Sequence, residues 1–442
     1  MSPSPDIDGL ATSAFSRRGF LSVSAAGLLL ALAGCSTGPS ANTGGKAVLD
    51  VSLWGDAKRA KLYQKALDLF HTDHAKISSK LQFADLSPYL ERLATSAAAH
   101  DLPDVLWMRD THIGRYGSSG SLLDLSPYLG KTISTDAIGD SAVADGTIDG
   151  KVFALPTHFV GQAVLSDTTR LSALGITAAD IVSWDDFAAT AKDAADVGAG
   201  YYGSTDPTTG VTQRFFEAWI RQNGEELFGK DGGIGFTADT VEGWFEYWSK
   251  LRNAGVIPAP DVQIESEASG WTNDLLTTGK AALHPASTNH LTVIQSLTKN
   301  PIGLASMPAD KDADDDWWFF PPILISVAAD TPAPAAAAAL VDFFVNSVDA
   351  GAITRLNQGA PSSSKIREAI LPDLSEQETA FVEQISREQE LPRRPFPIRP
   401  EGSEAFNTAI TRAGQEIAYG RQSVSKAVDA LVVGAKQTLA SR

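Results

Sequence analysis

The sequence predicts an α/β fold in two domains, each an open sheet flanked by helices, with a largely helical C-terminal part. Three observations carry this. Short apolar runs alternate with amphipathic helical stretches along the first 330 residues, which implies sheets covered by helices. About 400 residues follow the N-terminal segment, more than one ordinary hydrophobic core organises. After Pro334 the helical period dominates.

The elements follow in order. Leu49, Val51 and Leu53 alternate with Asp50 and Ser52 in a strand ending at Trp54-Gly55-Asp56. Asp56 caps a helix with Leu62, Ala66, Leu69 and Phe70 on one face. A strand from Leu81 to Ala84 precedes a helix with Ser87 as cap and Pro88 at its first position. Pro103 to Met108 reads as a buried strand, and Gly150 to Pro156 as an extended piece before a crossover. Ala163–Ser166 begins the next sheet, and Ser183-Trp184-Asp185-Asp186 opens a capped helix. Val241, Trp244, Phe245, Trp248 and Leu251 form one helical stripe that stops at Gly255. Asn273–Gly279 reads as a short helix, and Ala281–His284, Ile302–Ser306 and Ile323–Val327 as strands. Val424, Ala427, Val428, Leu431 and Val432 line the last helix.

The N-terminus carries an address. Ser16-Arg17-Arg18-Gly19-Phe20-Leu21 leads into a run of about fifteen apolar residues, too short for a span of roughly 20. The pair Arg17-Arg18 with Phe20-Leu21 resembles a twin-arginine export motif. Leu32-Ala33-Gly34-Cys35 resembles a bacterial lipobox, so residues 1–34 are read as an export signal peptide and Cys35 as the lipidation site. Residues 35–46, rich in Ser, Thr, Gly and Asn, form a lipidated linker. The expected location is extracytoplasmic, anchored to the cell membrane. Cys35 is the chain's one cysteine, so neither a disulfide framework nor a thiol catalyst is expected. The signal removes two arginines and two aspartates, so the net charge stays at −17, which argues against nucleic acid.

The order and spacing of several pieces resemble the extracellular solute-binding proteins of carbohydrate ABC importers, the family of maltose-binding protein. These pieces are Trp54-Gly55-Asp56, Tyr89-Leu90 to Leu93, Leu102-Pro103-Asp104-Val105, Gly120 to Leu125 and Gly150-Lys151 to Leu155-Pro156. Further on come Gly175-Ile176, Ser183-Trp184-Asp185-Asp186 and Gly279-Lys280-Ala281-Ala282-Leu283. The resemblance covers roughly residues 48–436. One departure stands out: Leu165-Ser166-Asp167 keeps an acid after a strand where the family usually places an aromatic before it. The resemblance implies a periplasmic-binding-protein-like clamp with crossovers near residues 157, 284 and 330. Residues 47–157 plus 285–329 would form one lobe, and 158–284 plus 330–442 the other. It also implies a carbohydrate ligand between the lobes, permease subunits as partners, and a monomer that needs no cofactor and no metal.

Nine tryptophans are the richest chemical clue, since sugar rings pack C–H faces on aromatic faces. Trp184, Trp244 and Trp248 fit core packing, while Trp219 is ambiguous. Trp54, Trp107, Trp271, Trp317 and Trp318 sit at strand ends or in loops, where ligand contact and packing stand as alternatives. Polar partners for hydroxyls are Asp56, Asp85, Arg109, Asp110, His158, Asn289 and Arg355. His158 fits a structural role equally well.

Other motifs lead elsewhere. Asp310, Asp312, Asp314 and Asp316 alternate like a calcium loop, but Asp315 and Pro321 stand where glycine and glutamate belong. His71 and His74 share a helix face without further ligands, and Gly233-Ile234-Gly235 lacks a preceding strand. Two further readings remain: an extracellular glycoside hydrolase working through a carboxylate pair, or the same receptor holding a glycerophosphodiester or polyol.

Overall fold

The structure is a computed structural model that describes residues 46–440, apart from residues 197, 199, 211, 212, 312, 314–321, 393, 395–398 and 401. Trp317, Trp318, Cys35, the signal peptide and nearly all of the linker therefore lie outside the described residues.

Twelve strands are described: β1 Ala47–Trp54, β2 Ile77–Ala84, β3 Val105–Arg109, β4 Thr147–Ile148, β5 Lys151–Val152, β6 Ala154–Phe159, β7 Gln162–Asp167, β8 Tyr202–Ser204, β9 Ala281–Ser287, β10 Ile302–Ser306, β11 Pro322–Val327 and β12 Ala360–Pro361. Six make the larger sheet, in the order β12-β6-β11-β3-β1-β2, and four the smaller, in the order β10-β7-β9-β8. β1 runs parallel to β2 and β3, and β11 runs antiparallel to β3 and β6. In the smaller sheet β7 is antiparallel to β9 and β10, and β8 is parallel to β9. The remaining two form a hairpin. These are the helix-flanked sheets that the alternation of elements implies, in the two-lobed α/β architecture that the family resemblance implies.

The two faces of the smaller sheet bury different cores. Leu165, Ala286 and Ile302 belong with the core of the larger sheet, while Val164, Leu283 and Ala305 face a second core. The period of two along a strand produces this division. The second core is aromatic: Trp184, Phe187, Trp244 and Trp248 meet there with ring centroids 5.5–6.3 Å apart. The stripe Val241, Trp244, Phe245, Trp248, Leu251 is buried, and Gly255 ends its helix at φ +72°. Asp56 and Ser183 cap their helices as the sequence suggests, Ser183 in a full capping box with Asp186.

Four expectations are corrected. The helix after β2 is Leu86–Ala98, with Asp85 at its cap position, so Pro88 stands third. Trp271–Asn273 forms a single 3-10 turn in place of a helix over 273–279. β10 pairs with β7 in the smaller sheet, so the segment 285–329 is divided between the sheets. Helix Pro334–Asn346 and β12, expected in the second lobe, belong with the larger sheet, where Ala337, Leu340, Val341 and Val345 are buried. Strand pairing is a long-range choice that a local alternation pattern does not specify.

No single described helix is long and apolar enough to cross a membrane.

Candidate functional site

A cavity of about 760 Å³ opens beyond the carboxyl ends of β3 and β8, the position that open α/β sheets favour for ligands. Arg109 and Thr111 reach it from the end of β3, in the larger sheet. Everything else comes from the smaller sheet and its helices. Thr205, Asp206 and Pro207 follow β8; His284, Pro285, Ala286 and Ser287 lie along β9. Gln263, Ser266 and Glu267 project from helix Pro260–Ala268, and Trp271 and Asp274 from the turn after it. His290, Arg214, Asn407, Thr408 and Thr411 also line it.

Trp271 brings an indole to the cavity wall. It is 37% exposed, and its ring lies 4.3 Å from that of His290 and 6.2 Å from that of His284. Burial lowers the His290 pKa to about 4, with the His284 charge acting the same way, so its imidazole is neutral near pH 7. Burial also lowers the pKa of His284, although Asp274, 3.5 Å from its Nδ1, opposes this.

Three carboxylates line the same cavity. Asp206 is fully buried, accepts from Nε and Nη2 of Arg252 at 3.0 and 2.6 Å, and accepts from Thr208. The Asp206 amide donates to Gln263, whose own amide donates to Glu267 at 2.9 Å. Burial pushes the Glu267 carboxyl up, the Gln263 hydrogen bond opposes it, and the charges of Asp206 and Asp274 add to the rise. Asp274 is fixed by the Leu276 amide at 2.9 Å. Fixed side chains of this kind present carboxylate acceptors and amide donors without further ordering cost.

At the mouth, Arg214 Nη2 reaches both oxygens of Asp110 at 2.8 and 2.6 Å, and its Nη1 reaches Glu217 at 2.9 Å. Arg399 holds Glu217 from the other side at 2.6 Å. Burial opposes ionisation of Asp110, but Arg214, Arg399 and Arg109 outweigh it and hold its carboxyl below the usual range. Arg214, by the same pairing, is held protonated.

Of the residues expected at a site, Arg109 and Trp271 line this cavity and Asp110 stands beside it through Arg214. The others are placed elsewhere. Trp107 is wholly buried against Tyr63 and Phe344, and Trp54 packs on Tyr89. Trp219 joins the aromatic core and donates to the Thr240 carbonyl at 2.9 Å. Asp56 is a helix cap, and Asp85 is exposed at another. His158 is buried within β6 beside Thr157. Asn289 sits at the cap position of helix His290–Leu297, and Arg355 bonds the Asp373 carbonyl and faces Glu378. Asp167 caps a helix and accepts from Asn300. Asp206, Glu267, Asp274, His284 and His290 were not anticipated; the polar run Thr205-Asp206-Pro207-Thr208-Thr209-Gly210 is a signal that could have drawn attention to the first. Among the described residues no group of three or more His, Cys, Asp or Glu is gathered to hold a metal ion.

Comparisons with known proteins agree with this architecture. A family model described as bacterial extracellular solute-binding protein matches residues 65–371, well over half of the chain. The maltodextrin-binding protein MdxE of Bacillus subtilis (strain 168) is 24% identical over 287 residues, spanning 60% of this chain and 62% of that protein's length. An extracellular solute-binding protein of family 1 from Alicyclobacillus acidocaldarius superposes with a TM-score of 0.76 at 24% identity, covering 89% of this chain and 99% of the other. A periplasmic oligogalacturonide-binding protein from Yersinia enterocolitica, solved with saturated digalacturonic acid, gives 0.72 at 19% identity, covering 89% and 99%. These structures share the fold. On the family match over most of its length, this chain belongs to the bacterial extracellular solute-binding proteins.

Proposed function

We propose that this protein is the substrate-binding subunit of an ABC importer, capturing a mono- or oligosaccharide between its two lobes and delivering it to a membrane permease. The observation that carries the reading is the Trp271 platform inside a wall of fixed carboxylates and amides. An indole face takes the C–H side of a sugar ring, while carboxylates and amides take its hydroxyls as donors and acceptors. A volume of about 760 Å³ falls in the ordinary range for small-molecule sites and leaves room for more than one ring. Sugar ligands named for relatives, maltodextrin and digalacturonic acid, support the same class.

Capture works by closure. Residues from both sheets meet at the mouth, so a ligand that touches both walls favours the closed arrangement by its differential affinity. The twin-arginine-like start and the lipobox-like tetrad ending at Cys35 support export and a lipid tether. The protein acts as a monomer in this reading.

A thermal-shift screen against neutral maltooligosaccharides, oligogalacturonides, glycerophosphodiesters and polyols tests it. Ligand at 100 times its Kd stabilises by about 2.7 kcal/mol. A neutral oligosaccharide is expected to give the shift, and solution scattering with it to give a smaller radius of gyration. A phosphodiester or polyol hit moves the cargo to that class, and turnover of a glycoside by the purified protein replaces the receptor reading with a hydrolase.

A further inference from the structure

The chain passes between its sheets at a joint where one buried acid touches several strands of traffic. The shortest crossover is Val160-Gly161, between β6 of the larger sheet and β7 of the smaller. Gly161 is locked there: its amide donates to Thr288 Oγ1 at 3.0 Å, and its carbonyl accepts from the Thr288 amide at 3.0 Å. A Cβ on Gly161 would meet Ile385 at 2.9 Å and Glu388 Oε2 at 3.6 Å, so the glycine admits both side chains against the backbone. Both project from helix Glu376–Gln389, which packs on β12 of the larger sheet and on β10 of the smaller. Glu388 also accepts from the hydroxyl of Ser306 at 2.8 Å, at the end of β10 where the chain sets out on its return to β11. A third passage leaves the helix itself just after Glu388 for helix Ser403–Ala418 in the second core.

We propose that the Glu388 carboxyl is a protonation-sensitive element of this joint, favouring the packed arrangement when neutral and a looser, more hydrated one when ionised. The inference rests on the clamp reading above and adds a control to it. Glu388 is 4% exposed, and its neighbours are one hydroxyl and one amide, Ser306 and Gln384. Among the described residues no cation forms an ion pair with it. The elements packed on its helix bring little charge. β10 and β12 carry no titratable side chain, and helix His290–Leu297 carries only His290, neutral near pH 7. Arg367, on the helix after β12, is engaged with Ser386, Pro361 and Ser362. Lys365 and Glu368 lie on the same helix. On its own helix, Glu376, Glu378 and Glu383 lie upstream and Glu390 just beyond the end, with Arg387 exposed and facing Glu383 at 3.9 Å.

Burial lifts the Glu388 pKa to about 7 against the hydrogen bonds of Gln384 and Ser306 and the Arg387 charge. A hydrated carboxyl titrates near 4.5. Below both values either arrangement is protonated and pH has no leverage. From about pH 4.5 to 7 the looser arrangement releases its proton and the packed one does not, so rising pH disfavours the packed form. Above about 7 both are ionised and the effect levels off.

The test measures the joint without any ligand. Spin labels at Val48→Cys on β1 and Val182→Cys before the Trp184 helix occupy exposed sites, in the full chain carrying Cys35→Ser. Inter-label distances measured from pH 4.5 to 8 should shift progressively up to about pH 7 and then hold. Glu388→Gln should flatten that dependence. Ser306→Ala keeps the acid but removes a donor to its anion, and should extend the sloping range upward by about one pH unit. A parent protein whose distances ignore pH, or an unchanged profile in Glu388→Gln, overturns the proposal. Should Glu388→Gln fail to fold, an unmoved range in Ser306→Ala overturns it as well. The receptor reading is judged separately by the carbohydrate screen at fixed pH.

Discussion

Asp110 and Arg214 join the two halves of the molecule, with Arg214 Nη2 2.8 and 2.6 Å from the two carboxylate oxygens. Asp110 follows β3 of the larger sheet, whereas Arg214 stands on helix Gln213–Gln222, whose Phe215, Phe216 and Ile220 build the second core. Both side chains are largely buried, at 6% and 12% exposure, so water and salt screen the pair little. Glu217 and Arg399 extend the pair into a network of two acids and two guanidinium groups, with the Arg109 charge also acting on Asp110.

In the proposed capture by closure, opening would separate this pair, which would make it a contributor to the closed arrangement. Asp110→Asn keeps the shape and removes the charge, leaving Arg214 and Arg399 with Glu217 as the carboxylate between them. Binding of the best sugar from the screen should weaken by about 1.5–3 kcal/mol, the range for hydrogen bonds to charged groups. Titration calorimetry reads the loss, and scattering should show less compaction at saturation. Unchanged affinity together with unchanged compaction would refute the pair's part in closure.

Trp271→Ala should cost about 1–3 kcal/mol of sugar binding, as expected for a lost aromatic stacking surface. At 37% exposure on a 3-10 turn it contributes little to either core, so the melting temperature should stay near that of the parent. A variant that binds like the parent takes the platform away from Trp271.

Trp248→Ala is the counterpart in the core. Trp248 is fully buried, with ring neighbours Trp244 at 5.5 Å, Tyr247 at 5.3 Å and Phe187 at 5.6 Å. Truncation opens a cavity and should lower stability by about 3–5 kcal/mol, measured by denaturant unfolding. Folded variant at low temperature should still bind sugar; loss of binding with intact stability would contradict the division between core and site.

These two tryptophans also show what a sequence reveals and what it hides. Trp248 was legible because its neighbours recur at the helical period, which fixes the face it buries. Arg109 was legible because it ends a buried strand, where such sheets place their ligands. Trp54 ends a strand too and Trp107 stands two residues before the end of β3, yet both turn into the core against Tyr89, Tyr63 and Phe344. A strand end gives the position of a residue but not the face it occupies. Asp206 lies some sixty residues before Glu267 and Asp274, and the hydrogen bond from the Asp206 amide to Gln263 of helix Pro260–Ala268 ties that distant segment to the same wall. That convergence is tertiary, and no local spacing encodes it.

The tether is tested by Cys35→Ala in the native host. If Cys35 carries the lipid as proposed, its loss leaves none attached, so signal processing should stop and detergent partitioning should fall. Identical mobility, processing and partitioning in the variant would remove lipid anchoring from the proposed function.

His158 predicts how the fold responds to acid. It lies in β6 opposite Ile323, 5% exposed, with its Nδ1 3.1 Å from Thr157 Oγ1. Burial pushes its pKa down to about 3, the Arg59 charge acts the same way, and a hydrogen bond with the Arg355 backbone opposes both. An unfolded imidazole titrates near 6.5. Above that value neither state binds the proton, and the contribution of His158 is independent of pH. Below it the unfolded chain takes up a proton that the folded chain refuses. Stability is therefore lost as pH falls from about 6.5 toward about 3, by up to about 1.4 kcal/mol per pH unit for this one group. His158→Gln lacks that titration. Denaturant unfolding at several pH values should give the variant a lower stability at pH 7.5 but a shallower acid limb, the two curves converging as pH falls. Parallel curves across this range would show that the imidazole of His158 is not held neutral by the fold.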